Sequence, residues 1–157
     1  MAGSMKTEGT EELAAMLYKL GESANDIAKG ALYEGAKVVA DAYTAAVGRI
    51  QTAPRRSKET GKRMPTPEEK EAIGIGIARF RGDGGAEVDT IVGVPEGYTT
   101  VNGRKKATKL IARSINSGTS FMQRQPVFRK AQSSSKTAAQ EAMVRKADEM
   151  IEELVIH

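Results

Sequence analysis

The chain contains no cysteine and no tryptophan, and only three phenylalanines and four tyrosines among its 157 residues. Without cysteine there is no disulfide framework, no thiolate metal site and no cysteine nucleophile. Scarce aromatics imply an aliphatic core, and seven methionines suit irregular or adaptable contacts. The one histidine is His157, the last residue, where nothing rigid holds it as a base or a metal ligand. Ser–His chemistry is excluded with it. No apolar run approaches the roughly 18 residues that a membrane span needs, and no signal-peptide core is evident. No Gly-Lys-Ser/Thr phosphate loop occurs. Gly74-Ile75-Gly76 lacks the third glycine of a dinucleotide loop and leads into β-branched residues instead of a helix. The carboxylate pairs Glu68/Glu69 and Glu152/Glu153 are sequence neighbours, which point apart on a helix and read as solvated charges. No catalysis, cofactor or metal is expected.

What the chain does have is charge, unevenly spread. Residues 1–50 carry 5 Lys/Arg against 7 Asp/Glu, and residues 133–157 carry 3 against 5. Residues 51–81 and 82–132 each carry 8 against 4. A basic middle between acidic ends favours contact with a polyanion, or head-to-tail contact between copies.

Residues 1–9 are expected to stand apart, either disordered or as an appended leader with Met5 as the natural start. The remainder, 10–157, reads as one domain. Thr10-Glu11-Glu12 opens a short helical segment that Gly21 is expected to interrupt. A longer helix follows from Asn25, a suitable N-cap, to Ile50. Its apolar face (Ile27, Ala31, Leu32, Gly35, Val38, Val39, Ala42, Tyr43, Ala46, Ile50) is rich in small residues, so a partner element can approach closely. Residues 52–66 hold two prolines and five Lys/Arg against one Glu, and read as a mobile basic loop. Thr66, Pro67 and Glu69 spell a capping box with proline at the first helical position, ahead of a helix cut short by Gly74 and Gly76.

Residues 74–95 predict a β-hairpin around Asp83-Gly84-Gly85, with Ile73, Ile75 and Ile77 on one side and Arg79 and Arg81 continuing that side toward solvent or a partner. Asn102-Gly103 is a second turn, after a strand over 98–101. Residues 107–115 are open to helix or strand, and lean to a helix ending near Gly118, with Leu110, Ile111 and Ile115 on one face. Ser133-Ser134-Ser135 is expected to cap a last helix whose inner face runs from Ala139 through Met143 and Met150 to Leu154. The order of elements is that of an α+β fold, in which the long N-terminal helix and the C-terminal helix pack on a small antiparallel sheet with a central β-hairpin.

The run Leu110-Ile111-Ala112, Asn116-Ser117-Gly118-Thr119-Ser120, Pro126-Val127-Phe128-Arg129-Lys130-Ala131, and then a long helix, resembles the neck and tail-completion proteins of long-tailed bacteriophages. The Ala-rich helix, the Pro-containing basic loop and the strands around "TIVGVPEGY" keep the same order, so the resemblance spans roughly residues 24–155. Two departures stand out. Asn116-Ser117 replaces an acidic and an aromatic residue before Gly-Thr-Ser, and Val127 separates the proline from Phe128.

The resemblance implies a non-enzymatic virion protein that joins head connector to tail tube. It would act as one subunit of a homo-oligomeric ring around the channel through which genomic DNA passes without specific recognition. Its partners would be the head-closure or connector protein and the tail-terminator or tail-tube protein, with no membrane. It would lie in the virion neck, and in host cytoplasm during assembly. On that reading Arg55, Arg56, Lys62, Arg63, Arg79, Arg81, Asn116, Gly118, Thr119, Ser120 and Arg129 form partner contacts. Gly118 permits a left-handed backbone, Thr119 and Ser120 satisfy exposed amides, and a buried Phe128 anchors the last helix on the sheet. The alternative is a basic nucleic-acid-associated protein using Arg55-Arg56, Lys62-Arg63 and Arg104-Lys105-Lys106. Few stacking aromatics lie near those clusters.

Overall fold

A computed structural model describes residues 10–80 and 89–156. Four helices and four strands follow in the order α1 (Thr10–Gly48), α2 (Pro67–Glu71), β1 (Gly76–Phe80), β2 (Asp89–Gly93), β3 (Tyr98–Val101), β4 (Arg104–Ala107), α3 (Thr108–Ser117) and α4 (Val127–Ile156). The fold is α+β, with long first and last helices and two separate two-stranded antiparallel sheets where a single sheet was expected.

Helix α1 is one unbroken element of 39 residues, so neither the interruption at Gly21 nor an N-cap at Asn25 occurs. A glycine inside a helix costs only about 1 kcal/mol relative to alanine, which the flanking Leu, Ala, Met and Lys residues outweigh. At 1.5 Å per residue α1 is roughly 58 Å long and α4 roughly 45 Å. They pack antiparallel, and two glycines set their separation. A Cβ on Gly30 would meet Met150 Sδ at 2.6 Å, and one on Gly35 would overlap the Met143 side chain. The small-residue face anticipated on the first helix is therefore the face that α4 covers.

Helix α4 begins at Val127, nine residues earlier than a cap at Ser133-Ser134-Ser135 would put Lys136. Those serines sit inside the helix instead. Ser135 is buried and donates its hydroxyl back to the Ala131 carbonyl at 2.7 Å, which satisfies it without ending the helix.

Where α1 ends and α4 begins, a head has formed. Val47, Ile50, Ile73, Val101, Ile111, Ala112, Ile115 and Met122 make its core, with Val94, Val127 and Phe128 partly buried against it. Ile111 and Ile115 face inward as expected, but Leu110 is 60% exposed. Phe128 is only half-buried against that core, and its ring meets Tyr43 of α1 edge-on at 5.4 Å, so it anchors α4 on α1.

The β1–β2 hairpin pairs Gly76 with Gly93 through Phe80 with Asp89 and lies against α1. Its turn, Asp83-Gly84-Gly85, lies outside the described residues, as do residues 1–9. The β3–β4 hairpin turns through Asn102 (φ 50°) and Gly103 (φ 73°), the two positive-φ positions of a tight two-residue turn.

Candidate functional site

Most of the expected contact residues come together at one corner of the head, where the 52–66 loop meets the turn after α3. Gly118 ends α3 at φ 74° and ψ 169°, and its amide donates to Ser114 O at 2.8 Å. A Cβ there would also lie 2.9 Å from Arg124 Cβ. Glycine is required twice, by dihedral and by space. Thr119 Oγ1 then accepts from Met122 N at 2.9 Å and Phe121 N at 3.4 Å. Ser120 makes no comparable bond among the described residues. Gln125 N donates to Ile115 O at 2.8 Å, closing the turn back on its helix.

The basic loop lies alongside. Arg63 N donates to Phe121 O at 3.0 Å, Gln123 N to Arg63 O at 2.9 Å, and Ser57 N to Lys62 O at 3.0 Å. Short bridges Arg56–Arg63 and Arg63–Met122 thus hold three chain segments side by side. Met64, Pro65 and Met122 are buried beneath them. The segment is a loop, as its composition implies, but it is tied down at more points than composition suggests. Backbone bonds and two buried apolar side chains do the tying, and a charge count sees neither.

Two of the expected contact cations are committed internally. The Arg63 guanidinium reaches Met64 O and Glu69 Oε1, each at 3.4 Å. Glu69 is 3% exposed, a buried carboxylate and not the solvated charge its neighbour-pair position suggested. The capping box is half-formed for that reason. Thr66 Oγ1 accepts from Glu69 N at 3.2 Å, while the Glu69 side chain turns to Arg63. Lys62 Nζ donates to Thr119 O at 3.1 Å.

The free cations point elsewhere. Arg55, Arg56, Lys58 and Arg124 line an open groove of about 470 Å³ together with Glu59 and Gln123. Arg56 donates to Gly61 O at 3.2 Å, and none of the four has a carboxylate within salt-bridge distance among the described residues. Arg129 is exposed on α4, beside a larger groove of about 840 Å³ floored by Leu32, Val39, Tyr43 and Met143. Arg79 lies on β1 opposite Thr90, apart from this corner, and Arg81 is outside the described residues. Asn116 Oδ1 is buried with no hydrogen-bond partner among the described residues. Asn116 also lines a groove of about 430 Å³ between α3, β2 and Phe128.

Sequence reasoning missed the glutamines. Gln125 Oε1 accepts from Gln51 N at 2.9 Å and its Nε2 donates to Gln51 O at 3.0 Å, a two-bond clasp across 74 residues. Thr60 Oγ1 donates to Gln123 Oε1 at 2.6 Å. It also missed Lys70, whose ammonium donates to Gly48 O and Ile50 O and so caps the end of α1. A lone glutamine in a loop carries no periodic signal, so nothing local could have flagged them.

No group of three or more His, Asp or Glu side chains placed to hold a metal occurs among the described residues, and none of their helices is long and apolar enough to cross a membrane. No protein-family model, no curated protein and no solved structure matches the chain.

Proposed function

We propose that this protein is a non-enzymatic structural subunit of the neck of a long-tailed bacteriophage. In this reading it completes the tail and joins it to the head connector, as one member of a ring around the DNA channel. The observation that carries the reading is the Gly118-Thr119-Ser120 turn, folded against the basic loop and followed within ten residues by a long helix. That is the order of elements the resemblance implies. A ring closed by one repeated contact needs two different complementary surfaces on each copy, and the charge split along the chain can supply them.

Immunogold labelling of particles from the host strain that encodes the chain tests the location. Label at the head–tail junction supports the proposal, and particles without label reject it. Deleting the gene should leave filled heads and separate tails. The groove of Arg55, Arg56, Lys58 and Arg124 favours a second reading, a nucleic-acid-associated protein. That reading requires an affinity for DNA that falls steeply with salt, several powers of ten across a moderate salt range if many phosphates are contacted.

A further inference from the structure

The antiparallel register of α1 on α4, with Gly30 at Met150 and Gly35 at Met143, has a consequence at the far end of the molecule. It sets Ile156 level with about Ala24, so that roughly the first 14 residues of α1, some 21 Å of helix, run on beyond α4 with no other helix beside them among the described residues. Leu13, Leu17 and Leu20 continue, at steps of four and three, the same face that α4 covers lower down through Ile27, Ala31 and Gly35. Leu13 and Leu17 are 55% and 59% exposed, and Tyr18, on the flank of that face, is 68% exposed. Val155 and Ile156 add exposed apolar surface from the end of α4. Exposed large apolar side chains gathered at one end of a molecule mark an interaction surface.

Charge selects its occupant. Residues 10–26 and 144–156 together hold eight acidic side chains against three basic, so two such tips repel each other. Of the described large apolar side chains that are exposed, those off α1 and α4 are Tyr98, Leu110 and Phe121. Tyr98 lies under the Lys105 ammonium at 4.9 Å. Leu110 stands between Lys109 and Arg113, within residues 104–113, which hold five basic side chains and no acidic one. Round the same helix from Leu110 opens the groove of about 430 Å³ formed by Val94, Ala112, Phe128 and Asn116, with Lys109 and Arg113 also lining it. Arg113 has no acidic partner among the described residues, and Lys109 holds only the exposed Glu96 at 3.1 Å.

We infer that the acidic, apolar tip of α1 in one copy docks into this basic-lined groove of the next copy, with Leu13, Leu17 and Tyr18 as anchors. The inference names the two surfaces of the head-to-tail contact proposed above and rests on that reading for its place in a ring. One helix face of this length buries less than the roughly 800 Å² per partner of a stable interface, so a single contact is weak and closure of a ring adds the rest.

Because the chain lacks cysteine, single cysteines report the contact cleanly. Full-length Tyr18→Cys and Leu110→Cys chains, mixed up to millimolar concentration and treated with a short bismaleimide, should give mainly the mixed product. Adding Lys109→Glu and Arg113→Glu to the Leu110→Cys chain should cut that product roughly tenfold or more. Glu11→Lys, Glu12→Lys and Glu22→Lys in the Tyr18→Cys chain should then restore it, which a misfolded groove variant could not do. Predominance of the tip-to-tip product, absence of a mixed product, or failure of the charge swap would overturn the inference. A mixed product from a protein absent from virion necks would leave this contact standing and reject the neck. A neck map with copies joined through other surfaces would do the reverse.

Discussion

The head and the helical tip are built from similar residues and obey different rules. In the head, Ile115 is fully buried, and the loops around it are joined by bonds across as many as 74 residues. At the tip, leucines of the same periodicity stand mostly in water. Periodicity thus reports that a face is apolar, and only the register of the partner helix decides whether it is covered. Stability should therefore sit in the head, and contact with other molecules at the tip.

The sharpest way to break that comparison is to make the same kind of truncation at both ends. Ile115→Ala should destabilise the protein by about 2–5 kcal/mol, because a fully buried aliphatic loses both transfer energy and packing. Leu17→Ala should change stability by less than about 0.5 kcal/mol. Chemical denaturation of both variants checks this, and equal effects would mean that the tip is covered in the free protein. Next in size is Gly118→Ala, expected to cost about 1–3 kcal/mol through its positive φ and the nearby Arg124 Cβ. Phe128→Ala should cost about 2 kcal/mol, below the usual range for a phenylalanine in a core, because the ring is only half-buried on Tyr43.

Those magnitudes also show what was legible beforehand. The α+β class, the short helix behind Thr66, the Asn102-Gly103 turn and the positive φ of Gly118 follow from local rules, since each depends on a few neighbouring residues. The early start of α4 and the burial of Glu69 do not: the first is decided by the Ala-rich seam with α1, the second by Arg63, which lies in the loop outside the capping pattern. The unbroken helix through Gly21 was open to local reasoning, because the propensities of its flanking residues outweigh one glycine. The candidate site was half legible. Its cations and its turn could be named, but which cations face inward could not. Lys62 and Arg63 look like Arg55 and Arg56 in sequence, and differ only in having Thr119 O and Glu69 within reach.

A smaller effect sharpens the comparison from the tip side. An unpartnered helical stretch of about 14 residues is marginal in water, so its amides should exchange fast while those of 111–117 exchange only on global unfolding. Gly21 is exposed, and a Cβ there meets nothing within 4 Å. Gly21→Ala should therefore slow exchange locally by up to about 1 kcal/mol without moving the melting temperature. Exchange rates in the tip that match the head from the outset would contradict the separation.

The smallest expected effect lies midway between the two regions. Lys37 Nζ donates to Glu34 Oε1 at 2.8 Å, one helical turn apart on α1. That hydrogen bond holds the Glu34 carboxyl below its usual range and raises the Lys37 ammonium above its own. The signs oppose each other. Glu34's contribution is present above the ordinary glutamate pKa and fades as pH falls through the lowered value. That of Lys37 is present below the ordinary lysine pKa and fades as pH rises through the raised one. Between those edges the pair is intact, yet both groups face water, where holding two flexible side chains in one geometry offsets most of the attraction. Lys37→Met should thus return the Glu34 titration upward, as followed by carboxyl carbon shifts. The melting temperature at neutral pH should not move. A clear drop would mean that the α1–α4 seam draws on surface charge, and that the apolar contacts of Gly30 and Gly35 do not hold it alone.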